Sequence, residues 1–344
     1  MKILVHMGQS KTGTTSLQDS FLNNRHRLAD AEILYPDPPN GANAHHALSA
    51  IAEPAGPLPN HTMTRNGGIA GSVNAGEDIL ESLSRAKRDP KVDTVVLSSE
   101  ALSNPRISAA GHKRLADRLR ALSDDVQPIL YIREPAAYFL SLYQENQKAS
   151  TIVRLPALRP VRWIIETLEQ AYGRPPLFAT FARNSLIDGD IATDFIARFL
   201  DRRVDPKPFS GVAKNVSVSA ESMSILRELG EILSADTPGE RHPFSSVVLD
   251  VLHELDRGDP SPPRMKPSVT ASIRAAAVDY RWLRDRFGVT FAELDYDRID
   301  GSTPVPDLEQ ATLEELFEIN DERRTRLAEA VTARLLGAGD GTES

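Results

Sequence analysis

Lys2-Ile3-Leu4-Val5-His6-Met7-Gly8-Gln9-Ser10-Lys11-Thr12-Gly13-Thr14-Thr15-Ser16-Leu17 opens the chain with a short apolar run, a glycine-bounded polar loop and the start of an amphipathic segment. Residues 2–6 read as a buried strand, because a brief apolar and β-branched run bounded by a turn fits a sheet covered on both faces. Leu17, Phe21, Leu22 and Leu28 recur at helical spacing, which predicts a helix from about Thr15 to Ala29. A strand, loop and helix in this order aim successive backbone N–H groups and the positive end of a helix dipole at one spot. An oxyanion can sit there. Gly8 and Gly13 supply the backbone angles, and Thr14, Thr15 and Ser16 add hydroxyls in the first helical turn.

Outward from this stretch, strands alternate with helices. Glu32–Tyr35 reads as a strand ended by Pro36, and Val92–Leu97 as another, with Ser98, Ser99 and Glu100 at its end. Val126–Ile132 and Leu177–Phe181 complete the set. Helices are expected over Gly76–Arg88, Ala109–Leu122, Pro135–Lys148 and Val161–Tyr172. The alternation predicts an α/β fold: a P-loop-like central parallel sheet flanked by helices, with a mainly helical C-terminal half over residues 186–336. Residues 1–336 are expected as one domain. Residues 53–76, rich in Pro, Gly and Asn, read as a long acceptor-side loop. Residues 337–344 read as a disordered tail.

Composition narrows the function. The chain has 344 residues, 40% of them apolar, and a net charge of −8, which argues against a broad nucleic-acid surface. It has no cysteine, so disulfides and thiolate chemistry are excluded. The apolar run at the start is too short for a signal peptide or a membrane span, which predicts a soluble, cytoplasmic protein. No metal site is expected.

A second basic feature follows the strand Val126–Ile132. Arg133-Glu134-Pro135 stands at its carboxyl end, and Ser141 lies about two turns along the next helix. Arg and Ser together can clamp a phosphate. Equally, Arg133 can pair with Glu134, and Ser141 can bond back to its own helix. Lys214-Asn215-Val216-Ser217-Val218-Ser219 is a third stretch, read either as a basic segment over an anion or as the N-cap of a helix from Ala220.

Taken together, Ser10-Lys11-Thr12-Gly13-Thr14-Thr15 and the Arg133, Pro135, Ser141 spacing resemble the sulfotransferase superfamily, closest to its bacterial and carbohydrate-acting branches. The resemblance implies that Ser10, Lys11, Thr12, Gly13, Thr14, Thr15 and Ser16 hold the 5′-phosphosulfate of 3′-phosphoadenosine 5′-phosphosulfate. It implies that Arg133 and Ser141 hold the 3′-phosphate, with Lys214 and Asn215 as a lesser contribution. The two anion cradles are then expected to face one crevice, an adenosine's width apart. Thr14 stands where a nucleoside-triphosphate loop carries its lysine, and the cation is displaced to Lys11, beside the bridging oxygen of a shorter, metal-free donor.

Sulfuryl transfer to a hydroxyl needs in-line positioning, charge stabilisation and a base. Glu100, at the carboxyl end of a strand, is one candidate base. His45 and His46 are the rival, as base or as acceptor-side contacts. The resemblance implies a small-molecule or glycan acceptor; the oligomeric state is left open. Two other classes stay open as well. One is a P-loop kinase or nucleotide hydrolase, and the other a non-catalytic nucleotide binder of the same fold.

Overall fold

The computed structural model describes residues 1–56, 58, 60–149, 160–182, 184–210, 217–233, 243–302 and 311–337. Along the first part of the chain lie β1 (Lys2–His6), α1 (Thr14–Asn23), α2 (Arg25–Asp30), β2 (Ile33–Leu34), α3 (Leu48–Ala52), α4 (Asn60–Asn66), α5 (Ile69–Ala86) and β3 (Thr94–Ser98). Then come α6 (Ala109–Arg120), β4 (Asp125–Ile132), α7 (Pro135–Ala149), α8 (Val161–Tyr172), β5 (Leu177–Thr180) and α9 (Ile191–Phe199). Among the described residues that follow, the elements are helices: α10 (Ala220–Leu233), α11 (Pro243–Gly258), α12 (Pro267–Ala275), α13 (Val278–Phe287), α14 (Leu313–Leu316) and α15 (Asp321–Gly337).

The chain forms two compact units that interleave in sequence. The first comprises Met1–Glu134, Arg159–Lys214 and Asp279–Leu294 and holds the sheet. Its five strands are all parallel, in the order β2-β3-β1-β4-β5. The α/β expectation is therefore met. β1 pairs on both edges, His6 standing opposite Ser98 of β3 and Ile129 of β4. Pro128 inside β4 is tolerated because Ile129 and Tyr131 point their carbonyls at β1, so the missing N–H of Pro128 faces β5, whose pairing begins only at Ile129.

Right-handed crossovers put connections that run in opposite directions on opposite faces of a parallel sheet. One face carries Leu4, Val96, Ile129 and Tyr131, packed against Leu17 and Phe21 of α1 and Phe195 and Ile196 of α9. The helices α5, α6 and α8 belong to the connections running the other way, and α6 packs on both α3 and α8.

The second unit comprises Pro135–Leu158, Asn215–Val278 and Asp295–Ser344. Phe139 and Tyr143 of α7, Met223 of α10, Leu252 of α11, Ile273 of α12 and Phe317 share one apolar core. Buried beside it, Arg323 bonds to Asp256 at 2.8 Å and faces Glu221 at 3.3 Å.

Two sequence expectations change. The segment read as a long loop over 53–76 is largely helical, as α4 and the first turns of α5. A Cβ on Gly76 would stand 2.7 Å from Ile51 Cγ1 and 2.8 Å from the Ala47 carbonyl oxygen. Glycine is there because α3 and α5 approach closely, and the same composition suggests looseness when only sequence is seen. The helix expected over 15–29 is broken at Asn24, which separates α1 from α2. Of the expected tail 337–344, Gly337 ends α15 and 338–344 lie outside the described residues. Among the described residues, no helix is long and apolar enough to cross a membrane.

His112 on α6 is fully buried, and neither ring nitrogen has a hydrogen-bond partner among the described residues. Burial lowers its pKa to about 4. The unfolded chain binds this proton near pH 6.5 and the folded chain does not, so stability is complete above about pH 6.5 and falls toward pH 4, by roughly 3 kcal/mol for this ring. His6 and His45 are lowered to about 4 in the same way. His112→Leu is expected to reduce the acid-side slope of stability. Melting temperatures from pH 7 to pH 4 test this; an unchanged slope would count against the burial argument.

Candidate active site

In an open parallel sheet, ligands bind where neighbouring strands send their carboxyl-end connections in opposite directions. β1 and β4 form that pair here. The connection from β1 runs toward β2, and the one from β4 runs toward β5. The loop 8–13 and Arg133 therefore open on the same crevice.

The loop is held by its own polar groups. Gln9 donates its N–H to the Tyr131 carbonyl at 3.1 Å, extending the β1–β4 pairing past the strand. The Gln9 side-chain oxygen accepts the Arg133 N–H at 3.1 Å, and Thr12 Oγ1 donates to the Gln9 carbonyl at 2.6 Å. Gly13 has φ 73° and Lys11 has φ 68°, a left-handed conformation that costs a non-glycine residue about 1 kcal/mol or more. A Cβ at Gly13 would stand 2.8 Å from the Phe181 ring. The turn delivers the chain into α1 without a side-chain cap and without an acid in the first turn. The first helical bond runs from Leu17 N–H to the Gly13 carbonyl, so Thr14, Thr15 and Ser16 present the N–H groups that precede it. An oxyanion is the natural partner for such an end.

Arg133 lies against this loop. Its Nη1 donates to the Lys11 carbonyl at 2.9 Å, and its guanidinium stands 5.6 Å from the centre of the Phe181 ring. Burial pushes its pKa down and the Glu134 charge opposes that. The Tyr280 hydroxyl donates to the Arg133 carbonyl at 2.8 Å, fixing the turn after β4. The guanidinium expected an adenosine's width from the loop rests against the Lys11 carbonyl in this structure. The contact is made to the carbonyl of the left-handed Lys11.

On the other side of β1, Glu100 begins a 3₁₀ turn directly after β3. Its Oε2 accepts from Gln18 Nε2 at 2.9 Å, and its Oε1 lies 3.6 Å from His46 Nε2. Burial pushes the Glu100 carboxyl up, but the His46 charge and the Gln18 hydrogen bond outweigh it and hold the group below its ordinary range. His46 Nδ1 meets Ser99 Oγ at 3.1 Å. Ser103 Oγ reaches the Gly8 carbonyl at 3.2 Å, joining this turn to the loop.

His45 is not a base. It is fully buried, Nδ1 accepts the Ser98 N–H at 3.0 Å, and Nε2 meets the Pro36 carbonyl at 3.0 Å. Only the tautomer protonated on Nε2 satisfies both contacts, so the ring is a neutral strut between β3 and the turn after β2. The Thr12 hydroxyl is likewise committed to the loop, which leaves its backbone as the part a ligand can meet.

Ser141 lies on α7, in the second unit. Lys214 and Asn215 lie outside the described residues. Beyond them, the cap reading describes the local structure: Ser219 Oγ accepts the Ser222 N–H at 3.1 Å at the start of α10.

Sequence reasoning missed Gln18 and His6. Gln18 is 1% exposed and also donates to Ser98 Oγ at 3.2 Å. His6 Nδ1 meets the same hydroxyl at 2.9 Å. Each is a polar residue in an otherwise apolar stripe, the signal that marks them. Among the described residues, no group of three or more His, Asp and Glu side chains stands ready to hold a metal.

No protein-family model, curated protein or solved structure matches this chain.

Two outcomes follow from this geometry. Gln18→Leu removes a hydrogen bond to the ionised carboxyl, so the Glu100 pKa is expected to rise, as read from its side-chain 13C shift against pH; an unmoved titration means Gln18 does not hold the group. Gly13→Ala adds left-handed strain and a clash with Phe181, and is expected to lower stability by about 1 kcal/mol or more in urea unfolding. A variant as stable as the parent refutes the strained turn.

Proposed function

We propose that this protein is a sulfotransferase, transferring a sulfuryl group from 3′-phosphoadenosine 5′-phosphosulfate to an acceptor hydroxyl. The carrying observation is the uncapped start of α1 at the sheet's crevice, reached from one side by the Arg133 guanidinium and from the other by the ionised Glu100 turn. The loop is P-loop-like in its strand–turn–helix order, with Lys11 inside the turn and Thr14 in place of the usual lysine. A sulfotransferase asks for this combination: donors aimed at a terminal oxyanion, a cation near the bridging oxygen and a carboxylate near the acceptor.

In this reading the acceptor oxygen forms a bond to sulfur while the bond from sulfur to the bridging oxygen breaks. The acceptor proton passes to Glu100, and the electron pair of the broken bond leaves on adenosine 3′,5′-bisphosphate. Lys11 and the N–H groups of Thr14, Thr15 and Ser16 stabilise the charge that grows on the leaving group. Arg133 exchanges its bond to the Lys11 carbonyl for an oxygen of the 3′-phosphate. Glu100 is the base, and His46 is its neighbour. The acceptor is a small molecule or glycan hydroxyl.

Titration with adenosine 3′,5′-bisphosphate is expected to raise the melting temperature without added metal, and ATP with Mg²⁺ to leave it unchanged. Lys11→Ala and Arg133→Ala should each weaken the bisphosphate at least tenfold, about 1.4 kcal/mol, by calorimetry. Stabilisation by ATP and Mg²⁺ would point to a kinase or hydrolase, and normal binding by Arg133→Ala would refute the site. Bisphosphate binding with no transfer from the phosphosulfate to any of a broad panel of hydroxyl compounds would mark a non-catalytic binder.

A further inference from the structure

His6 is fully buried at the carboxyl end of β1, and the transfer step assigned to Glu100 does not use it. Its Nδ1 meets Ser98 Oγ at 2.9 Å, and its Nε2 has no hydrogen-bond partner among the described residues. The ring lies beneath the loop, since a Cβ on Gly8 would stand 2.8 Å from Nε2. Tyr131 and Phe195 meet the ring edge to face, with centroids 5.6 and 5.7 Å away, and fix its plane.

The direction of each hydrogen bond follows from the carboxyl inward. Glu100 is held below its ordinary range and is ionised near neutral pH. The group of Gln18 that faces its Oε2 at 2.9 Å is therefore the amide nitrogen, because an amide oxygen there would repel the carboxylate. The same nitrogen reaches Ser98 Oγ at 3.2 Å, and that oxygen accepts. The hydroxyl hydrogen of Ser98 is left for His6 Nδ1, which must be unprotonated to take it. His6 then carries its one proton on Nε2, facing Gly8. Burial lowers the pKa of the ring to about 4 against the pull of the Glu100 charge, in keeping with a neutral imidazole.

We propose that His6 is a positioning residue for the base, acting through Ser98 and Gln18 to keep the Glu100 carboxyl ionised and in place. Each link removes a choice. An unprotonated Nδ1 orients the Ser98 hydroxyl, and the oriented hydroxyl presents a lone pair to Gln18. Gln18 is then left with an N–H, and not its carbonyl, for Glu100. An amide free to turn would offer its oxygen to a protonated carboxyl just as well. The chain thus favours the form of Glu100 that accepts a proton, which suits a base for an acceptor hydroxyl and not an acid for a leaving group. His46 and Tyr35 also face Glu100, and neither belongs to the chain. The inference rests on Glu100 as the base of the proposed transfer, and it adds three residues to that step.

Side-chain 13C shifts of Glu100 against pH, taken in the free protein, test the chain. Ser98→Ala is expected to raise the Glu100 pKa by about half a unit or more, although Ser98 Oγ makes no bond to the carboxyl. His6→Leu should raise it by a similar amount, and by nothing further in the Ser98→Ala background, because both break one chain. A His6 that acts by its own charge or packing would shift the titration in either background. Additive shifts therefore overturn the proposal, as does an unmoved titration in Ser98→Ala. The 15N shifts of the His6 ring near neutral pH give a check that needs no substitution: a proton on Nε2 is expected, and a proton on Nδ1 refutes the order of donors. Where transfer is measured, the acid limb of kcat/KM should move to higher pH in Ser98→Ala, in step with the Glu100 titration. A titration that moves while the limb stays discards Glu100 as the base and leaves the chain standing.

Discussion

Backbone pairing along both edges of β1 is the constraint from which the rest of the first unit follows. Five residues, Lys2 to His6, stand in register with Thr94–Ser98 on one side and with Asp125–Ile129 on the other. Parallel strands end on a common edge, so this register alone brings the loop after β1, the turn after β3 and the turn after β4 together. It also sets which side chains face α1 and α9. A slip of one residue would move Leu4 and His6 to the opposite face and separate His6 from Ser98.

Strain and its compensation meet in the loop. A left-handed Lys11 costs about 1 kcal/mol or more, whereas a hydrogen bond from a charged group contributes roughly 1.5–3 kcal/mol. The bond from Arg133 to the Lys11 carbonyl is therefore enough to hold the turn. Arg133 acts on the loop in two ways at once, as a positive charge and as the clasp that keeps Lys11 in its conformation. A ligand that draws the guanidinium away also loosens the loop, so the charge and the shape of the crevice are coupled.

Local chemistry made part of this legible in the sequence. The strand–loop–helix from Lys2 to Leu17, the alternation of strands and helices and the placing of Arg133 and Glu100 at strand ends all depend on spacing within a few residues. The helical character of 60–75 was hidden because Gly71 and Gly76 look like chain breakers, while Gly76 answers to Ile51 and Ala47, partners more than twenty residues away; the helix expected from Gly76 is the second half of α5. Gln18 and Glu100 are 82 residues apart, and nothing local ties them. Their meeting depends on β1 lying next to β3, a fact of strand order. The contact of Arg133 with Lys11 was illegible for a related reason: it needs the left-handed backbone at Lys11, which residue type disfavours.

The neighbouring histidines show how burial divides roles between like residues. His45 is enclosed, and the Ser98 N–H and the Pro36 carbonyl need partners there; the ring satisfies both and is held neutral, with a pKa lowered to about 4. His46, one residue on, keeps some exposure and faces a carboxylate. A charged His45 would have to give up the Ser98 bond, since a protonated Nδ1 cannot accept it. Glu100 lies against His46 and takes the Gln18 hydrogen bond, which with His6 hold its carboxyl below the ordinary range against burial, and the role of each ring is decided by the groups around it.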